Sequence, residues 1–304
     1  MKHLPFDKPG KWWRGNLHTH SSRSDGTRSP EAVCQFYREN GYHFLSITDH
    51  FLEEYGYPIT DATPFHTSDF VTLPGAELHA GRISNGEMWH ILAVGLPSDF
   101  APPFDEETGP QLAQRALESG AFVVCAHPNW YALSEADVIA LGDVHAIETI
   151  NGISDDHSDK IDSWYMLDVM LNRGRRYFAL TTDDAHFHAQ HDDTLHGWTW
   201  LKSESLDPAS ILHALKMGWY YSSSGPQIHD VQVHRDTLYI RCSAVKHIFV
   251  TGIGATSVYH HGNNVMEAEL SLKRLKKSPF LRITIRDRDG NRAWTNPVWR
   301  DLGI

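Results

Sequence analysis

Through the first 225 residues, short apolar runs rich in β-formers alternate with capped helical stretches, and run after run ends on His, Asp or Glu. Parallel strands need a crossover connection and a helix after each strand supplies it, so the alternation predicts a mainly parallel sheet, closed or nearly closed. Residues 16–21 read as the first strand. Ser29-Pro30-Glu31 starts a helix, with Ser as N-cap and Pro at the first helical position, and Gly41 stops it. Tyr42 to Thr48 then runs apolar into Asp49-His50. Further strands are predicted at 70–78, 88–96, 121–126, 144–150, 177–182 and 219–223. Helices are predicted at 108–119, 134–141 and 157–173, and from Asp207-Pro208 to Gly218.

After Ser224-Gly225-Pro226 the period changes. Segments 228–234, 237–243, 246–251, 265–272 and 280–286 alternate apolar and polar residues, and Asp289-Gly290 is a hairpin signal. The expected organisation is an α/β barrel over 1–225 followed by a small antiparallel, sandwich-like β domain over 226–304.

Composition narrows the function classes. Hydrophobic residues at 41% and charged residues at 21% suit a globular chain. No apolar run approaches the roughly 18 residues of a membrane span, and MKHLPFDKPGKWWRG lacks the apolar core of a signal peptide. Cys34, Cys125 and Cys242 are scattered, odd in number and outside any CxxC pair. They are expected to be free thiols in a reducing compartment, so the expected location is cytoplasmic, without membrane association. The net charge of −11 is uneven: residues 226–304 carry 12 Lys+Arg against 7 Asp+Glu, leaving 15 against 31 in the rest. So acidic a body repels a phosphate backbone, which argues against a nucleic-acid partner. Oligomeric state leaves no mark in the sequence.

Histidine is over-represented, at 21 of 304 residues. His18-Thr19-His20 closes the first predicted strand, and alternate strand residues face the same way, so both imidazoles can reach one ion. Asp25 follows on the loop, Asp49-His50 closes the second strand and Glu77 the third. His90 opens the next, His127 closes another, and Asp184 and His186 close a late strand, again two residues apart. Strand ends of a parallel barrel converge on one face, and buried carboxylates and imidazoles gathered there are the donor set of a metal site.

The runs HTHSSRSDG, FLSITDH, PGAE, a lone His, AHP and DDAH resemble, in order, the motifs of the PHP family, named for polymerase and histidinol phosphatase domains. The resemblance covers roughly residues 15–225 and implies a distorted (βα)7 barrel holding two or three divalent ions. It implies one ion on His18, His20, Glu77 and Asp184. A second would share Glu77 and add His90 and His127, with His79 lying nearby. A third would use Asp25, His50 and His186, Asp25 standing where some members have histidine. Asp49 is expected to orient a neighbouring imidazole. Nitrogen and oxygen donors suit Zn, Mn or Fe without choosing among them.

The activity so implied is a metal-dependent phosphoesterase that cleaves a small organic phosphate ester, such as a nucleotide or sugar phosphate, by attack of metal-bound hydroxide, with Asp184, His186 and Glu77 central to catalysis. Arg23, Arg82 and Asn129 are candidate substrate contacts. AWTNPVW at 293–299 resembles the C-terminal segment of PHP proteins of the carbaryl-hydrolase type, which keeps a carboxylic-ester or carbamate hydrolase open as the alternative. A metal-binding module without catalysis is the remaining one.

Overall fold

The computed structural model describes residues 4–300. The strands are β1 Lys11–Asn16, β2 Phe44–Ile47, β3 His50–Phe51, β4 Val71–Leu78, β5 Ile91–Val94, β6 Phe122–Cys125, β7 Ala146–Asn151, β8 Phe178–Thr182, β9 Trp198–Ser203 and β10 Tyr220–Ser223. There follow β11 Ile228–His234, β12 Thr237–Thr251, β13 Ser257–Ser271, β14 Phe280–Arg286, β15 Arg292–Thr295 and β16 Val298–Trp299. The helices are α1 Pro30–Glu39, α2 Gly109–Glu118, α3 Glu135–Ala140, α4 Gly152–Ser158, α5 Trp164–Asn172 and α6 Pro208–Lys216. No helix among the described residues is long and apolar enough to cross a membrane.

Local chemistry sets most helix boundaries. Ser29 accepts from the Ala32 amide ahead of Pro30, Thr108 and Gln111 form a capping box on α2, and Asp207 accepts from Ser210 ahead of Pro208. The helix predicted over 157–173 is instead two. Asn151 caps an earlier start by accepting from the Ser154 amide, and Asp159, at φ 55°, turns left-handed and ends α4. Trp198–Ser203, where no strand is predicted, forms β9 with alternating burial.

One hydrogen-bonded sheet runs in the order β11-β12-β14-β15-β10-β9-β1-β2-β4-β5-β6-β7-β8. β1–β2–β4 and β6–β7–β8 pair in parallel, but β5 lies antiparallel to both β4 and β6, and β9 is antiparallel to β1. The expected distorted (βα)7 barrel is therefore not what forms: in this mixed α/β fold β5 and β9 run antiparallel to their neighbours, and the sheet is not closed. β8 and β9 share no ladder among the described residues, and the curled sheet meets itself at one isolated parallel bridge, Thr19 with Ala185. The strands beyond residue 226 join the same sheet through β15 on β10 and gather a core of their own, including Ile240, Ile248, Val250, Ile283 and Ile285.

Alternation explains how both faces are buried. In β5, Ile91 and Ala93 face α2, α3 and α5, while Leu92 and Val94 face the inside with Leu17, Val124 and Leu180. Each such Ile, Leu or Val contributes about 1.5–3 kcal/mol when fully buried. α6 adds Ile211, Ala214 and Leu215 to the inner core, and its Leu212 touches Gly95 just past the end of β5. Because β5 runs against its neighbours, that contact puts α6 at one end of the curled sheet and His90, just before β5, at the other, beside the C-terminal ends of β4 and β6.

The unladdered seam is held by side chains. Asn296, in the tail motif, accepts from the Ala179 amide of β8 at 2.9 Å and donates to the Gly218 and Tyr220 carbonyls, each at 3.2 Å. Trp294 stacks on Trp164, ring centroids 4.9 Å apart, and is buried. Replacing Asn296 by Ala leaves buried backbone groups unpaired on both sides of the seam, which costs roughly 1–3 kcal/mol per group. Asn296→Ala should therefore lower the urea midpoint by the equivalent of at least one such group; an unchanged midpoint would show that the clamp adds nothing.

Candidate metal centre

The rim opposite α6 is tied together before any side chain is considered. The His20 amide donates to the Ala185 carbonyl at 2.8 Å, the Asp184 amide to His18 at 2.9 Å and the Thr48 amide to Thr19 at 2.8 Å. The Glu77 amide reaches the Thr48 carbonyl at 3.1 Å. Two rim residues hold backbones that L-amino acids seldom adopt: His127 at φ 22° and Asp184 at φ 55°. Such conformations cost about 1–3 kcal/mol and persist where the surroundings over-determine them.

The nine residues expected as ligands come together in one continuous network. His18 Nε2 and His20 Nε2 lie 3.1 and 2.9 Å from Asp184 Oδ1, and 3.6 and 3.5 Å from Glu77 Oε2. The other oxygen, Glu77 Oε1, lies 2.7 Å from His90 Nδ1 and 3.1 Å from His127 Nε2. Glu77 thus presents one oxygen to each side, the disposition a bridging ligand needs. Asp25 meets His50 Nε2 and His186 Nε2, both at 3.4 Å, and His20 Nδ1 at 3.7 Å. Three sets of convergent donors result: His18, His20, Glu77 and Asp184; His20, Asp25, His50 and His186; and His50, Glu77, His79 and His90.

Supporting groups fix which ring nitrogen carries the proton. His18 Nδ1 donates to Glu148 Oε1 at 2.8 Å, His186 Nδ1 to the Asp184 carbonyl at 2.8 Å and His79 Nδ1 to the Trp89 carbonyl at 3.0 Å. Each bond leaves Nε2 as the ring nitrogen aimed into the centre. Glu148 also accepts from the His127 amide at 2.7 Å and from Asn151 Nδ2 at 3.0 Å, and Asn151 reaches Asp184 Oδ2 at 3.0 Å. Neither Glu148 nor Asn151 is singled out by motif, and an acid in AIETIN reads as ordinary strand alternation. Asp49 binds hydroxyls rather than an imidazole. It accepts from the Ser21 amide and hydroxyl, from Ser24 and from Thr60, and so shapes the loop carrying Asp25. Asp183, beside Asp184, accepts from Tyr37 and from the amides of Leu195, His196 and Gly197, which anchors the loop after β8.

His18 Nε2 and Glu77 Oε2, buried and 3.6 Å apart in the centre, make no well-directed hydrogen bond among the described residues, although Asp184 Oδ1 lies 3.1 Å from the first and His50 Nδ1 2.9 Å from the second. Buried polar atoms without a directed bond are rare, and an ion between them would satisfy both. The electrostatics agree. Burial opposes charge on Glu77, yet His90, His50 and His18 hold it well below the usual carboxylate range, and His18 and His20 do the same for Asp184. Burial disfavours protonated His50, but Glu77 and Asp25 lift it to about 10, and Asp184, Glu148 and Glu77 likewise outweigh burial to raise His18. His20 falls to about 4, through burial and through His186 and His50. Ionised carboxylates among partly protonated imidazoles fit divalent cations of the Zn, Mn or Fe kind.

The residues expected to touch substrate are placed less centrally. Arg23 is exposed on the loop between His20 and Asp25. Arg82 is exposed and donates to the Gly86 carbonyl of its own turn at 2.7 Å. Asn129 Nδ2 donates to the Asp162 carbonyl at 2.9 Å. Tyr131 lies over His90 and His127, ring centroids 4.2 and 5.1 Å away, and Trp130 lies edge-on to His127, so both rings wall the centre. The three cysteines are free and buried, and burial alone pushes the Cys34 thiol to about 12.

No protein-family profile and no curated protein matches the chain. Among solved structures, the chain aligns over 96% of its length with 98% of a two-domain protein from Bacteroides vulgatus containing a predicted PHP-like metal-dependent phosphoesterase, at 14% identity and a TM-score of 0.53. The fold is PHP-like. A candidate metal-dependent phosphoesterase from Bifidobacterium adolescentis aligns with 67% of this chain over 96% of its own, at 15% identity and a TM-score of 0.42. An amidohydrolase from Chromobacterium violaceum, solved with sulfate and without metal, aligns with 57% of this chain over 87% of its own, at 14% and 0.44. In this PHP-like frame all three donor sets lie on the rim away from α6.

Two measurements test the centre. Ligation requires unprotonated nitrogen, and against burial Glu77 and Asp25 lift His50 to about 10, so an ion bound there must displace the proton that His50 holds at neutral pH. Metal affinity should rise with pH from 6 to 9, about tenfold per pH unit for each proton displaced, and level off only as pH passes the His50 value. Chelator competition across that range checks it, and a flat profile would sink the assignment. Glu148→Gln keeps the shape of the side chain but puts an amide nitrogen against the His127 amide. It should weaken metal binding roughly 10–100-fold, as loss of an orienting partner does, with an unchanged circular dichroism spectrum.

Proposed function

We propose that the chain is a metal-dependent hydrolase whose substrate is a small organic phosphate ester. The observation that carries this reading is the sharing of ligands: Glu77, His20 and His50 each belong to two of the three donor sets, so ions held there are neighbours. Neighbouring divalent ions supply a water of lowered pKa and neutralise charge on the non-bridging oxygens of a phosphoryl group. The chain's own residues do the rest. Asp184 and Glu77 hold the ionic charge in place, and the Glu148, Asp184-carbonyl and Trp89-carbonyl bonds keep the imidazole Nε2 atoms aimed before substrate arrives. Tyr131 and Trp130 exclude water from one side. Arg23, exposed beside Asp25, is the cation best placed by sequence to meet a phosphate oxygen as it enters.

The test strips the purified protein of metal, refills it with Zn, Mn or Fe and compares p-nitrophenyl phosphate and its bis-ester with p-nitrophenyl acetate and a naphthyl carbamate. Phosphoester turnover should return with metal. Asp184→Ala should cost at least roughly 100-fold, as the loss of several kcal/mol of charge stabilisation requires. Turnover confined to the two carbonyl substrates would replace the phosphoesterase reading with the ester or carbamate one. Failure to take up metal at all would remove the hydrolase.

A further inference from the structure

Outside the three donor sets, Asp156 and His157 on α4 meet His191 on the loop after β8. His191 Nδ1 lies 2.5 Å from Asp156 Oδ2, so this ring donates its Nδ1 proton to the carboxylate and keeps a lone pair on Nε2. That Nε2 faces His157 Nε2 at 3.1 Å, with the ring centroids 4.3 Å apart and tilted by 59°. Two nitrogens bound at about 2.0–2.1 Å to one tetrahedral zinc stand about 3.3 Å apart, so an ion seats between these two with little movement. Asp156, held on the far nitrogen of His191, stands as the carboxylate that orients and polarises a ligating imidazole.

The place of the pair also matters. The Trp130 ring lies between the two centres, 5.2 Å from the His127 ring and 5.6 Å from that of His157, both in edge contact. None of Asp156, His157 and His191 belongs to the donor sets of the main centre. Asp156 and His157 are exposed and His191 is half-buried, so solvent can complete a coordination shell. Imidazole nitrogen with one supporting carboxylate favours zinc over magnesium or calcium, which take oxygen donors.

We propose that Asp156, His157 and His191 form an additional, solvent-open zinc site beside the main centre, with His157 and His191 as nitrogen ligands and Asp156 as the residue that positions His191. This does not depend on the reaction assigned to the main centre.

The experiment is equilibrium dialysis of the full chain against stepped Zn2+ concentrations, with bound zinc counted by elemental analysis. Wild type should bind one more ion than His157→Ala or His191→Ala. Asp156→Asn should bind that ion roughly 10–100-fold more weakly. Asp184→Ala, impaired at the main centre, should retain it, so loss of the main ions and loss of the peripheral ion are scored separately. The two histidines lie on different elements, which keeps the test sound if His191→Ala disturbs the loop bearing His186. Equal stoichiometry and equal affinities in wild type and His157→Ala would overturn the proposal, whatever the main centre holds.

Discussion

Glu77, Asp184 and Glu148 are each at most 2% exposed and share one network of imidazoles, and the rest of the rim follows from that burial. A carboxylate removed from water needs a hydrogen-bond donor or a cation for every oxygen, and several together need more than hydrogen bonds. The chain answers with histidines from six strand ends or their loops, with the His127 amide and with the Asn151 amide group. Even so, Glu77 Oε2 and His18 Nε2 face each other with only off-line ion-pair partners in His50 and Asp184. Positive charge belongs between them. The same rim holds His127 at φ 22° and Asp184 at φ 55°, backbone conformations that persist only where the surroundings over-determine them.

Sheet topology serves the same concentration of donors. With β5 reversed, a residue that precedes a strand, His90, arrives beside residues that end strands, Glu77 and His127. A fully parallel arrangement would place the start of that strand at the α6 end. The antiparallel pairing thus widens the range of chain positions that can contribute a ligand, and α6 closes the opposite end with aliphatic side chains.

Much of the donor set is legible in the sequence because HTH, TDH and DDAH carry their chemistry locally: two-residue spacing and the end of an apolar run already fix a shared direction. The supporting groups are not legible that way. Glu148 lies inside an apolar strand 130 residues from His18, and nothing in AIETIN announces the contact. His79 is visible only as a neighbour of Glu77 until the Trp89 carbonyl fixes its tautomer. Most strand positions are readable, but the first strand is Lys11–Asn16 rather than 16–21, which leaves His18 and His20 just past its end, and Trp198–Ser203 forms a strand where none is predicted. Hydrophobic alternation also marks where a strand lies without naming its partners. The reversal of β5, the unladdered seam between β8 and β9 and the joining of β15 to β10 therefore emerge only in three dimensions. Asp49, next to His50, shows the converse: proximity in sequence suggested an imidazole partner, and the carboxylate went to serine and threonine hydroxyls.

The Asn296 clamp has a consequence for truncation. β8 and β10 precede Asn296 by many residues, but the Ala179 amide and the Gly218 and Tyr220 carbonyls take a partner in that later side chain. The seam between β8 and β10 therefore depends on a segment that follows both strands by more than 70 residues. A chain truncated before residue 296 would carry all three donor sets in a frame without this fastening.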